Sequence, residues 1–486
     1  MLLTLITFIP LVGVLLIGLV PKSNTTLPKW IAAVVSAVDL GLVIWLMTMF
    51  ERGESAMQFV ENFTWIPQAS IFYTLGVDGI SLPLLFISAL LLFLAVLASW
   101  RVENKPKAYF AMLMLLAVGL NGVFLALDLI LFYIFWELVL VPMYFLIARW
   151  GGERREYASL KFFIYTLAGS VFMLVGIIAL YLLKGSFNVV ELIDAGLPAN
   201  VQWWLFGAFF LGFAVKVPLF PFHTWLPDAH VEAPTAGSVL LAGVMLKMGT
   251  YGFLRIALPI LPEGFASWQL AIVVLAVISI IYGAITAFAQ TDAKKLIAYS
   301  SVSHMGFAML GIGSATIAGI NGAMAVNVIH GFVTGMLFLV FGMLYDRLHT
   351  REISKISGVM VAMPVIGGLF AFASFASLGL PGLSGFVGEF LSLMGSWQSA
   401  AIPYYLTVIA AVGVLLGAAY MLWLLQRSIL GKPSELVEKN AEPLRVNEFL
   451  SVAPLVVLIV VMGLYWSSLL VFTDPATSVL VQVVGV

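Results

Sequence analysis

Apolar runs of about 20 residues, the length that crosses a bilayer, recur from one end of this 486-residue chain to the other. They fall near 2–20, 28–50, 78–100, 107–127, 129–148, 157–184, 201–221, 233–258, 266–289, 294–316, 318–345, 359–379, 403–430 and 446–472. Nothing but a lipid-embedded helical bundle accommodates so many, because in hydrocarbon every backbone polar group must be satisfied within its own segment. Composition agrees: 62% of residues are hydrophobic and 10% charged, against roughly 25% charged in soluble domains. The expected fold class is therefore an all-α polytopic membrane protein of about 14 transmembrane helices.

The basic residues set the orientation. With the N-terminus outside, only Arg52, Lys184 and Arg255 lie on the outer side and Lys216 and Lys247 lie within spans; the rest of the 23 lysines and arginines fall inside. That asymmetry is the positive-inside pattern. Met1–Val20 has no basic residue before its apolar run and reads as an uncleaved first helix rather than a signal peptide. The polar connection 51–77 is expected to fold on the outer face. A net charge of −1 gives no basic field for nucleic acid. The absence of cysteine removes disulfides and thiolate metal or cluster sites. Any redox chemistry must then belong to a partner.

Two spans are interrupted, one by Pro218-Leu219-Phe220-Pro221 and one by Gly379-Leu380-Pro381-Gly382-Leu383-Ser384-Gly385, with 385–397 as its second half. Proline removes a backbone donor and clashes with the preceding turn. The breaks are five helices apart, and an odd-numbered repeat inserts upside down the second time. Inverted repeats with broken helices are the architecture of ion-coupled transport. The organisation expected is 1–106 (three helices with the outer loop), 107–258 (first five-helix repeat), 266–430 (second), and 431–486 (a C-terminal loop and helix).

Seven ionisable residues lie within spans: Asp39, Glu137, Lys216, Lys247, His304, His330 and Glu389. Each would cost roughly 2.5–3.5 kcal/mol at the bilayer centre, so they must pair, face protein or be wetted, and their default meaning is functional. Glu137 follows Phe135-Trp136 at mid-span. Lys216 stands beside the first break, where room and free carbonyls are expected. Lys247 has no acid within a helical turn and needs a partner from another helix, with Gly243 and Gly249 allowing close approach. Glu389 opens the second half of the later broken span. The histidines suit a proton relay, and their spacing gives no zinc motif. Asp39 reads as an interhelical hydrogen-bonding group, Asp292 as an N-cap, and Asp228 with His223 and His230 as the inner mouth of a channel. A catalytic set of Glu137, Lys216, Lys247, His304, His330 and Glu389 passes protons from acid to base to relay to acid. No nucleotide or redox motif supplies the energy.

The segments Phe135-Trp136-Glu137, Phe213-Ala214-Val215-Lys216-Val217-Pro218, Trp225-Leu226-Pro227-Asp228-Ala229-His230, Leu296–Phe307 and Gly382–Phe390 resemble the antiporter-like subunit M (chain 4) family of respiratory complex I, the proton-pumping NADH:quinone oxidoreductase. The likeness runs over about 75–430. It implies a fourteen-helix antiporter-like fold with inverted repeats over helices 4–8 and 9–13. It also implies Glu137 and Lys216 as a coupling pair, Lys247 as the central lysine and Glu389 as the distal group. Sister antiporter-like subunits carry lysine at that last place. Flavin, iron–sulfur clusters and quinone would belong to partner subunits, with none in this chain, and the other partners would be sister membrane subunits and lipid. The location implied is the bacterial inner membrane. Two other homes share the fold, a multi-subunit Mrp-type cation/proton antiporter and a ferredoxin- or hydrogenase-linked complex. A third reading makes the chain a spacer whose buried charges are inert.

Overall fold

The computed structural model of the chain describes residues 1–193 and 195–485. The elements run α1 (Leu2–Leu19), α2 (Leu27–Met49), β1 (Gln58–Ile66), β2 (Ile71–Val77), α3 (Ser81–Ala98), α4 (Pro106–Leu125), α5 (Leu129–Trp150) and α6 (Arg155–Lys184). They continue with α7 (Ala199–Lys216), α8 (Trp225–Glu232), α9 (Thr235–Ile260), α10 (Pro262–Phe288), α11 (Ala293–Ser314) and α12 (Ile317–Leu348). The last are α13 (Pro364–Ser377), α14 (Ser384–Gln398), α15 (Tyr404–Ser428), α16 (Val446–Leu464) and α17 (Ser467–Val484). Short helical turns in the connections carry no label.

Among the described residues, thirteen helices are long and apolar enough to cross a membrane. All but α17 coincide with expected spans. The two expected spans missing from that set are the interrupted ones, whose halves are α7 with α8 and α13 with α14. The chain is a multi-pass membrane protein. Its centre is formed by α9 and α12, whose apolar stretches are wholly buried, while α1, α2, α6, α15 and α16 turn most of their surface outward. Proximity at the centre depends on missing side chains. A Cβ on Gly249 would stand 2.7 Å from the Phe213 carbonyl oxygen, and one on Gly243 would meet Leu91 at 2.2 Å, so α9 packs directly on α7 and α3.

The segment 51–77, expected only to fold on one face, forms an antiparallel hairpin with Asn62 opposite Thr74 and Phe63 opposite Tyr73. Among the described residues the helical bundle thus carries one β element. We call this side the hairpin face and the other the basic face. The end of the chain departs from expectation. The span placed at 446–472 stops at Leu464, where Tyr465 leaves helical geometry (φ −131°, ψ 61°), and a separate helix, α17, follows. It lies along the hairpin face. Arg52 stacks on Phe472, Gly79 meets the Phe472 carbonyl, and Asn321 accepts from the hydroxyls of Thr473 and Thr477 at 3.0 Å while its amide donates to Asp474.

The two halves share a local signature on opposite faces. Asp128 caps α5 through the N–H groups of Ile130 and Leu131 and forms an isolated antiparallel bridge with Asn188. Asp292 caps α11 through the Lys295 N–H, as expected, and bridges Glu352. The sequence separation is the same in both. So are the flanking bonds: Leu129 N to Phe187 O and Val189 N to Leu127 O in one, Ala293 N to Arg351 O and Ile353 N to Thr291 O in the other. The first bridge lies beside the hairpin, where Asp128 also accepts from Phe72 N. The second lies on the basic face.

Candidate functional site: a buried chain of acids, bases and histidines

Irregular backbone positions the two lysines. The helix of α7 stops at Lys216, because Pro218 cannot donate and Pro221 follows. In α9 a π-helical segment, Leu241–Met245, precedes Lys247, and a second, Phe253–Ala257, follows it. Single-turn π segments loosen the carbonyl ladder and occur often at functional sites. Here the loosened Ala242 carbonyl accepts from Lys247 Nζ. Lys247 is 1% exposed, so its ammonium depends on such acceptors.

Its second partner comes from another helix, but it is a base rather than an acid. Lys247 Nζ lies 2.7 Å from His330 Nδ1 on α12. The His330 and His304 rings stand 5.8 Å apart between centroids. On α11, His304 Nδ1 is 2.7 Å from Glu389 Oε1 on α14. Four of the six expected site residues therefore form one line, Lys247–His330–His304–Glu389. A small cavity of about 20 Å³ sits beside the last three of them, bordered by His304, His330, Ser377, Thr334 and Glu389. That is room for roughly one water molecule. Glu389 is the sixth residue of α14, not its opening residue, so it faces His304 from within a regular turn.

Glu137 and Lys216 are neighbours without a direct ion pair. Among the described residues, no carboxylate oxygen lies within 4.0 Å of Lys216 Nζ, and neither that nitrogen nor Glu137 Oε1 has a hydrogen-bond partner. Tyr133 and Ser170 stand beside Glu137. The expected free carbonyls next to Lys216 are occupied: Phe213 O accepts from Val217 N, Ala214 O from Leu219 N and Val215 O from Trp225 Nε1. The break folds back on its own helix end, and the Lys216 ammonium bonds none of them. The lysine lies instead over Trp136 and Phe162.

The other sequence candidates divide. Asp39 is an interhelical group as expected: Asn121 Nδ2 donates to it at 3.0 Å and to Ile6 O at 3.1 Å, and Ser88 donates to Asn121. At the basic face Asp228 pairs with Lys161 at 2.7 Å. His223 and His230 are buried rather than lining an open mouth; His230 stacks on Phe338 at 4.6 Å. Arg255, assigned to an outer connection, is buried in the second π segment against Asp78. Sequence reasoning missed Ser377 and Tyr420, whose oxygens lie 3.3 and 3.4 Å from His304 Nε2. It missed Asn327 too, which accepts from Thr250 one turn from His330. Neutral hydroxyls and amides in apolar helices give no signal until a neighbouring helix is known. A cluster on the basic face was also missed. There three successive carbonyls at the end of α8 are held, Val231 O by Arg351, Glu232 O by Gly152 N and Ala233 O by Lys294.

Comparison with known proteins places this geometry. A family model described as "NADH:quinone oxidoreductase/Mrp antiporter, TM" matches residues 126–419, and one described as "NADH-ubiquinone oxidoreductase chain 4, amino terminus" matches 8–127. The chain is 42% identical to NADH-quinone oxidoreductase subunit M of Rhodobacter capsulatus, over 99% of this chain and 96% of that one. It is 42% identical to NADH-ubiquinone oxidoreductase chain 4 of Chondrus crispus, over 96% and 95%. Among solved structures, a chain of respiratory complex I from Thermus thermophilus with bound NADH superposes with a TM-score of 0.91 at 32% identity, all of both chains being covered. A chain of the Mrp complex from Dietzia sp. shares the fold (TM-score 0.89, 20% identity, 100% and 99% covered). Relatives this similar over nearly their whole length leave one assignment: the chain belongs to the subunit M/chain 4 family of NADH:quinone oxidoreductases.

Proposed function

We propose that this chain is the proton-translocating subunit M of an NADH:quinone oxidoreductase, seated among sister antiporter-like subunits in a bacterial inner membrane with its hairpin face outward. The observation that carries the reading is the line Lys247–His330–His304–Glu389 at the buried centre of the bundle, hydrogen-bonded at both ends with the two histidine rings 5.8 Å apart between them. An ammonium has no lone pair, so when Lys247 is charged it donates to His330 Nδ1, and the ring proton resides on Nε2. Passing the Lys247 proton to Nδ1 makes an imidazolium. That cation releases its Nε2 proton toward the cavity and His304, and His304 delivers one to the Glu389 carboxylate. The chain itself forms and breaks only N–H and O–H bonds. Flavin, iron–sulfur and quinone chemistry, and the energy it yields, belong to other subunits.

Glu137 and Lys216 act as the switch of this machine. Their proximity without contact suits a pair that closes and opens, changing the field at Lys247 each time. The matching aspartate-capped bridges on opposite faces support reading 107–258 and 266–430 as inverted repeats, which would give each repeat one broken helix. The test is proton uptake by closed membrane vesicles carrying the intact enzyme, driven by NADH. Lys247→Ala in this chain abolishes acidification while the assembled complex remains, and acidification in the parent needs no sodium. A parent that moves protons only with sodium present would refute the proposal in favour of an Mrp-type role.

A further inference from the structure

Lys216 is 1% exposed, its ammonium has no hydrogen-bond partner among the described residues, and three carbonyls at the helix end, of Phe213, Ala214 and Val215, bind Val217 N, Leu219 N and Trp225 Nε1 instead, each at 2.9 Å. Two aromatic faces remain. The ammonium lies 5.5 Å from the Trp136 ring centre and 5.9 Å from that of Phe162, within the range of cation–π attraction. Neighbours hold both rings in place. Trp136 packs on Phe132 (5.5 Å) and Phe213 (5.7 Å), and Phe162 on Trp225 (5.5 Å). The Trp136 indole N–H is buried without an acceptor, an unfavourable state for a tryptophan kept only for its hydrogen bond. What the ring supplies here is its face.

We propose that Trp136 and Phe162 form an aromatic seat that holds the Lys216 ammonium apart from Glu137, so that the lysine divides its time between ring and carboxylate. The inference rests on Glu137 and Lys216 being the coupling pair. Trp136 and Glu137 are consecutive in α5, so they project about 100° apart around its axis. A partial turn of that helix exchanges one for the other in front of Lys216, and Pro142 two turns on weakens the ladder where such a movement would be absorbed. The seat is a positioning device. It touches the lysine and takes no proton. Without it Lys216 would settle on Glu137, and the switch would stay closed. A desolvated cation–π contact is worth about 30-fold in an equilibrium constant, enough to compete with an ion pair and weak enough to be left.

Ring fluorination provides the test, because it drains charge from the π face with little change of shape. Tryptophans carrying one to four fluorines are installed at position 136 in the intact enzyme, and NADH-driven acidification is followed in closed vesicles, with Glu137→Gln measured alongside. The expected result is a stepwise decline in acidification, linear in its logarithm with fluorine number and about tenfold or more at four fluorines. Fluorines also make the indole N–H more acidic, but that group has no acceptor to respond. If Glu137→Gln abolishes acidification while every fluorinated enzyme pumps like the parent, the seat is refuted and the coupling pair survives. If Glu137→Gln pumps normally, the pair is refuted and the seat falls with it.

Discussion

Replacing His330 by leucine tests the central link directly. The change removes one of two groups that Lys247 Nζ touches, leaving only the Ala242 carbonyl. A hydrogen bond to a charged group contributes about 1.5–3 kcal/mol, and at about 1.4 kcal/mol per tenfold its loss weakens the hold on the Lys247 ammonium by about 10- to 150-fold in equilibrium constant. The geometry adds a second effect. Leucine fills the space with carbon, so no ring nitrogen stands between Lys247 and the cavity beside His304, which has room for about one water. His330→Ala is the informative companion: it loses the same hydrogen bond but opens space that water can enter. Both variants are expected to assemble, since among the described residues the imidazole Nε2 has no hydrogen-bond partner to lose. NADH-driven acidification and NADH:quinone turnover, read on the same vesicles, should fall at least tenfold in the leucine variant and less in the alanine variant. A leucine variant that assembles and pumps within twofold of the parent would refute the relay through His330.

Two other perturbations probe what holds these groups in place. Gly249→Ala puts a methyl 2.7 Å from both Phe213 O and a Val217 methyl; overpacking of this kind costs about 1–3 kcal/mol, and because it pushes on the end of α7 it should lower both the thermal stability of the assembled complex and its pumping rate, whereas equal melting temperatures would show that the contact is soft. Glu61 on β1 accepts from the N–H groups of Leu3 and Thr4 and from the Thr4 hydroxyl; burial opposes its charge, but these hydrogen bonds prevail and hold the carboxyl below its ordinary range. A carboxyl lowered in the folded state stabilises fully above its unfolded pKa of about 4.3 and loses that contribution as pH falls through the folded value. Hydrogen-exchange protection of the Leu3 and Thr4 amides, corrected for intrinsic rates, should therefore hold at neutral pH, fade below about pH 4 and be absent at all pH values in Glu61→Leu; protection unchanged in that variant would refute the tie.

The bundle was legible in the sequence because hydrocarbon permits so few solutions: run length alone marked where the spans lie. The breaks at Pro218 and Gly379–Gly385 were legible for the same reason, since few residues interrupt a helix. What could not be read is informative. The hairpin at 58–77 alternates too weakly to stand out, its outer strand being exposed on both sides. The break between α16 and α17 carries no proline, only Gly463 just before it and Tyr465 in an unusual conformation, so α16 and α17 appeared as one long span. In the site, every ionisable member was visible because charge is scarce in such a chain. Their connections were not. The sequence called for a partner from another helix for Lys247 and for free carbonyls near Lys216, while the fold provides His330 to the first and aromatic rings to the second.

That exchange follows from what a buried ammonium requires. It brings three donors and no acceptor, and a regular helix has already committed each carbonyl to an N–H four residues on. A lysine in the middle of a membrane is therefore best accommodated where the helix is irregular or where another helix brings a lone pair or a π face. Lys247 follows a π segment and Lys216 ends a helix, whereas Glu137, His304, His330 and Glu389, which can accept, all sit in regular turns. The irregularities are thus the means by which two cations are carried into the bilayer. The partners they meet there, a histidine nitrogen and two ring faces, hold them more loosely than a carboxylate would. Had each lysine met an aspartate or glutamate at 2.8 Å, the bundle would have been more firmly neutralised and its protons far harder to move.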